Sequence, residues 1–143
     1  MSRGKAVSLI VAGFLLIAAY PTTSGFWHAY RDKSKVLIGM NVADVFRAVD
    51  DWDLCLSTYR NETTKEFGMF NVLKGDQVYR IPKYDKTFTS KEDFVQFVAH
   101  EMSNGQAWGS QLTYFAGAIR NTFRVDFDPN GKVRNVAGMV VRP

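Results

Sequence analysis

Asn121–Val141 constrains the fold more tightly than any other stretch of the chain. Phe123, Val125 and Phe127 alternate with Thr122, Arg124 and Asp126. A period of two places the apolar side chains on one face of a strand and the polar ones on the other. Asp128-Pro129-Asn130-Gly131 follows, and each position suits a turn. Proline pre-sets its own φ, asparagine tolerates the region between helix and strand, and glycine takes the positive φ that closes a hairpin. Val133, Val136, Met139, Val140 and Val141 then read as the return strand. This ribbon, greasy on one side, needs cover, and the rest of the chain is read as supplying it.

A chain of 143 residues holds one domain and a short leader. Apolar residues make up 46% and charged residues 22%, which excludes overall disorder. The aromatic share of 14% is high, and large buried rings help a small domain stand without disulfides. None can form within the chain, since Cys55 is its one cysteine; Leu54 and Leu56 on either side point to burial. The net charge of +4 raises the question of nucleic acid. Arg3 and Lys5 precede the apolar leader; without them 16 basic residues face 14 acidic ones and no basic run remains. That balance argues against a nucleic-acid partner.

Met1–Lys5 is a short basic start, and Ala6–Tyr20 is almost wholly apolar. The arrangement reads as an export signal, with Thr22 and Ser24 as small residues ahead of a cleavage point before Gly25. An uncleaved anchor fits as well, because the uncharged run reaches the roughly 20 residues that span a bilayer. Tyr20, Trp27 and Tyr30 would then lie at its interface. Residues 1–25 are therefore read as signal peptide or anchor, 26–35 as a linker and 36–143 as the folded domain, in the periplasm or on a membrane of the cell envelope.

Within the domain, Asn41 is a good helix N-cap with Asp44 at N3, and Val42, Val45, Phe46 and Val49 form one helical stripe. Asp50–Asp53 ends that helix, and residues 57–66 are polar. Phe67–Leu73 and Gln77–Ile81 read as strands joined through Lys74-Gly75-Asp76, and Pro82 stops the second. Ser90 with Asp93 resembles a capping pair for a helix carrying Phe94, Phe97, Val98 and Met102, stopped at Asn104-Gly105. Trp108–Gly117 is a strand that turns at Ala116–Ala118 into the ribbon. The predicted order is helix, two strands, helix, three strands. The expected fold class is α+β, a two-layer sandwich of short helices on one face of an antiparallel sheet, preceded by an N-terminal hydrophobic helix. The other sheet face would be free to bind.

Two patches together resemble the SmpA/OmlA family of small envelope proteins. Ile38-Gly39-Met40-Asn41, with Asp44-Val45, is similar to that family's helix start. Leu112–Gly117 followed by Phe123–Val133 is similar to its closing strands. The resemblance implies two helices on a three-stranded sheet, a fold akin to the β-lactamase inhibitor proteins, and a role supporting outer-membrane assembly through protein and lipid contacts. The family's lipidated cysteine has no counterpart here, and the second helix falls between strands instead of directly after the first.

No catalytic motif stands out. Asp126-Phe-Asp128-Pro-Asn130-Gly131 matches the opening of a calcium loop, but its twelfth position is Ala137, and a hairpin is the better reading. Asp50, Asp51 and Asp53 read as a solvated helix end rather than a metal patch. His100 and Glu101 are helix neighbours that face different ways, and Cys55 has no evident base. Neither metal nor cofactor nor small-molecule substrate is expected. Trp108, Tyr114, Phe115 and Arg120 gather around one strand and turn, residue types enriched at interface hot spots. Alternation sends Tyr114 and Phe115 to opposite faces, so one of the two is available to a partner. The expected function is non-enzymatic: an envelope protein that binds another protein and supports assembly. An exported inhibitor or immunity-type protein that blocks a target enzyme is the alternative.

Overall fold

The computed structural model describes residues 24–143, and the predicted hydrophobic leader helix lies outside them. The fold is α+β. A helix over 24–35 (α1) and a short helix Val42–Ala48 (α2) come first. Strands β1 (Leu54–Arg60), β2 (Phe67–Gly75), β3 (Val78–Ile81) and β4 (Lys86–Phe88) follow, with a 3₁₀ turn at Pro82–Tyr84. Helix α3 (Lys91–Met102) leads into β5 (Trp108–Ala116), β6 (Ile119–Phe127), β7 (Val133–Val136) and β8 (Val140–Arg142). The strands make one antiparallel sheet in the order β4-β3-β2-β1-β5-β6-β7, and β8 also pairs with β6.

Local chemistry explains most of these elements. The Asn41 side chain accepts the Asp44 N–H at 2.8 Å and donates back to the Asp44 carboxylate at 2.7 Å, which starts α2. The predicted stripe Val42, Val45, Phe46 and Val49 is buried. Ser90 accepts the Asp93 N–H at the start of α3, whose Phe94, Val95, Val98 and Met102 are buried. In β6, Phe123, Val125 and Phe127 face the core as the alternation requires. The hairpin after β6 closes on Asp128, which accepts the N–H groups of Asn130 and Lys132 at 2.9 Å while Gly131 takes φ 73°.

Four expectations need correction. Residues 26–35 are not a linker but most of α1, which buries its own Ala29 and Asp32, and Val36 just after it is buried too. Directly after Asp53, and running into the polar stretch 57–66, lies an unpredicted strand, β1, in the middle of the sheet between β2 and β5. The β2–β3 turn is formed by Asp76 and Gln77, both at positive φ, while Gly75 belongs to the strand. The return strand is broken: Val136 pairs with Val125 but Val140 pairs with Thr122, so the register slips by one residue between β7 and β8.

One buried cluster joins the helices to a single sheet face. Its centre is aromatic. The Tyr79 ring stacks on Phe94 at 4.3 Å, and Trp52 and Phe46 meet Phe94 at 5.9 Å each. Burial of such a side chain contributes about 1.5–3 kcal/mol, and the paired geometry adds about 0.5–1.5 kcal/mol. Helix α2 is pinned to α3 by a two-point contact from the Arg47 guanidinium to Glu92, at 3.0 and 2.6 Å.

Candidate functional site

The four residues singled out from sequence separate into two pairs. Trp108 is buried, donates its indole N–H to Asn104 at 3.0 Å and packs on Tyr59 and Phe70 at 4.6 and 5.5 Å. Tyr114 is also buried and stacks on Phe123. Neither is presented to a partner, which corrects that expectation: both sit at core-facing positions of β5. Phe115 and Arg120, directly opposite each other across β5 and β6, project on the other face and are exposed. Of the adjacent pair, Phe115 is thus the side chain that points away from the helices.

Registers place the rest of that face. A row across the strands runs Leu73, Leu54, Thr113, Thr122, Val140. The next runs Asn71, Leu56, Gln111, Arg124. Met69 and Phe67 continue it along β2, and both are exposed, as are Leu73 and Val140. This face therefore carries an apolar band, Leu73, Leu54, Leu56 and Val140, interleaved with Thr113, Thr122 and Gln111. Alternation in β6 alone could not show this, because Leu54 and Leu56 come from the unpredicted strand β1.

Between β1 and β8 the face dips into a groove of about 440 Å³, floored by Leu54, Leu56 and Val140 and flanked by Arg120, Arg124 and Arg142. Arg124 is held by Asp126 at 2.6 Å. Arg120 and Arg142 are cross-strand partners, and neither has a counter-ion among the described residues. Like charges directly opposite each other on a sheet are destabilising. A negatively charged group seated between the two guanidinium groups would relieve that repulsion.

A second concentration of polar groups lies where α1 meets β5. The Asp32 carboxylate is fully buried and accepts four hydrogen bonds. They come from the N–H groups of Asp50 and Asp51 at 3.1 and 3.0 Å, the Tyr114 hydroxyl at 2.8 Å and Lys35 at 2.9 Å. Burial raises the Tyr114 phenol well above its ordinary value, and the Asp32 charge raises it further, so Tyr114 acts only as a donor. Burial also works to raise the Asp51 carboxyl, but hydrogen bonds from Arg31 and His28 outweigh it and hold the group below its usual range. The carboxylates of Asp32 and Asp51 are both satisfied by the chain itself, and the arrangement is a clasp.

The acidic run Asp50, Asp51 and Asp53 does not converge. Asp50 faces Lys91 at 3.1 Å, Asp51 binds Arg31, and Asp53 accepts the Phe115 N–H at 2.7 Å. No three metal-ligating side chains come together among the described residues. Cys55 is buried against Ser57, and burial pushes its thiol up to about 12, which removes it as a nucleophile at neutral pH. Asp126 and Asp128 serve the Arg124 contact and the hairpin, respectively. No helix among the described residues is long and apolar enough to cross a membrane. No protein-family model, curated protein or solved structure matches the chain.

Proposed function

We propose that this is a non-enzymatic binding module of the cell envelope. In this reading the helices and sheet form two layers, the leader takes the chain out of the cytoplasm, and the uncovered sheet face receives a segment of another protein. The observation that carries it is the apolar band of Leu54, Leu56, Leu73 and Met69, edged by Arg120 and Arg142, which have no counter-ion among the described residues. An apolar patch of this kind on a small domain marks an interaction surface. The arginines select an occupant whose apolar side chains are bordered by carboxylates. A role in envelope assembly, as the SmpA/OmlA resemblance suggests, is part of the same proposal.

Photo-crosslinking in cells tests the reading. A photoreactive side chain at Leu56 or Phe115 is expected to capture a discrete partner, and one at the exposed Gln96 of α3 none. Leu56→Arg, at a half-buried position, should abolish capture by the Phe115 probe while the domain still unfolds in a single cooperative transition. Capture from Gln96 but not from the sheet face would overturn the proposal.

A further inference from the structure

The surface left over once the sheet face is assigned is the outer side of α1 and the turn after it. Phe26, Trp27 and Tyr30 project from α1 and touch one another, with ring centroids 5.8–6.3 Å apart. The chain then leaves the helix through a turn, Leu37-Ile38-Gly39-Met40, in which Gly39 takes φ 89° and Met40 N–H donates to the Leu37 carbonyl. This geometry is that of a type II turn, whose exposed tip normally carries polar residues. Here it carries Leu37 and Ile38, 63% and 67% exposed. Five large apolar side chains thus follow one another along the outside of a segment whose inner side is locked to the sheet by Asp32.

The charges nearby identify what would cover them. Arg31, Lys33 and Lys35 lie among these five; Arg31 is paired with Asp51 and Lys35 with the buried Asp32, so among the described residues Lys33 carries the segment's uncompensated positive charge. In sequence the uncharged run beginning at Ala6 leads directly into Phe26 and Trp27. Aromatic rings, aliphatic side chains and interleaved cations are the composition of a segment lying in a bilayer interface, with rings at headgroup level and cations on anionic lipid. We infer that this ridge, from Phe26 to Ile38, lies flat on an anionic membrane surface. The inference does not depend on the sheet-face proposal, because the two surfaces share no residue.

The test uses the full chain reconstituted into vesicles of phosphatidylcholine with and without phosphatidylglycerol. Trp27 is 62% exposed, whereas Trp52 and Trp108 are 2% and 4% exposed, so a Trp27→Phe control isolates its emission. A fluorophore on Ile38→Cys reports the far end of the ridge, since the native thiol is buried. The ridge reading expects a blue-shifted Trp27 emission, and quenching of both probes by lipids brominated near the glycerol. Both effects should be stronger with phosphatidylglycerol and weakened by Lys33→Glu. A leader that merely tethers the domain would bring Trp27 near lipid but leave the Ile38 probe open to aqueous iodide, and that result overturns the inference. Protection of the Ile38 probe that follows protein density instead of lipid composition assigns the ridge to a second copy and overturns it too.

Discussion

Asp32 shows how much a single buried carboxylate organises. Four donors from three parts of the chain converge on it: the end of α1, the loop at Asp50-Asp51 and strand β5. Removing one partner of such a set leaves the others buried and unpaired, and that desolvation outweighs the loss of the attraction itself. Asp32→Ala is expected to destabilise the domain by about 3–5 kcal/mol in chemical denaturation. Asp32→Asn, which keeps an acceptor oxygen, should cost visibly less; equal costs would show that the hydrogen bonds are not the cause. In the sequence Asp32 is one of several charges in a polar, aromatic decade, and nothing local marks it as interior. Its partners lie far along the chain, so the clasp was legible only once the fold had assembled them. Asn41, by contrast, was readable because a cap acts on its own helix.

The elements divide along the same line. Helices α2 and α3 and strand β6 carry their period in their own residues, and each appears where that period places it. Strand β1 does not, because both of its faces are used. Leu54, Leu56 and Thr58 point one way and Cys55, Ser57 and Tyr59 the other, so no alternation survives, and the buried Ser57 finds its partner in Ser110 at 2.8 Å. The β2–β3 turn misleads for a different reason. Gly75 attracts the prediction, yet the left-handed backbone falls on Asp76 and Gln77. A left-handed residue with a β-carbon costs roughly 1–2 kcal/mol, so Gln77→Gly should stabilise the hairpin by about 1 kcal/mol, seen as a higher thermal midpoint. The pairing of α2 with α3 has a pH signature. Hydrogen bonds from Arg47 hold the Glu92 carboxyl down to about 2, against an ordinary value of 4.5. Because the folded value is the lower one, the stabilisation is complete above about 4.5 and is lost as pH falls toward 2. An NMR titration of Glu92 should show that depressed midpoint. In Arg47→Ala the midpoint should return toward the ordinary value, and failure to do so would remove Arg47 as its cause.

Taken together, the domain has an interior of fully flanked strands, in which the buried Tyr79 hydroxyl and Asn121 amide have no hydrogen-bond partner among the described residues, and unevenly finished borders. Strands β1 and β5 are flanked on both sides, whereas the three-residue β4 ends the sheet at one border and the short β7 and β8, both paired with β6, end it at the other. Amide exchange should therefore be slowest at Cys55, Leu112 and Phe123 and fastest along Val140–Arg142. Slow exchange across β8 in the isolated protein would mean that the border is already covered. The α+β class followed from local periodicities, and so did the idea of a free sheet face. The composition of that face did not, because cross-strand neighbours such as Leu54 and Thr113 are brought together only by strand order. Two of the four nominated residues, Phe115 and Arg120, stayed on it; Trp108 and Tyr114 were drawn inward, where a large ring stabilises the domain more than it serves a surface.

The clasp at Asp32 also has a mechanical side. A limp ten-residue tether would let the domain wander on the order of 17 Å from its attachment and turn freely. Here that decade is a strut bolted to β5, so a pull or twist applied at Ser24 is handed directly to the sheet, and the domain takes its bearing from whatever the strut is fastened to.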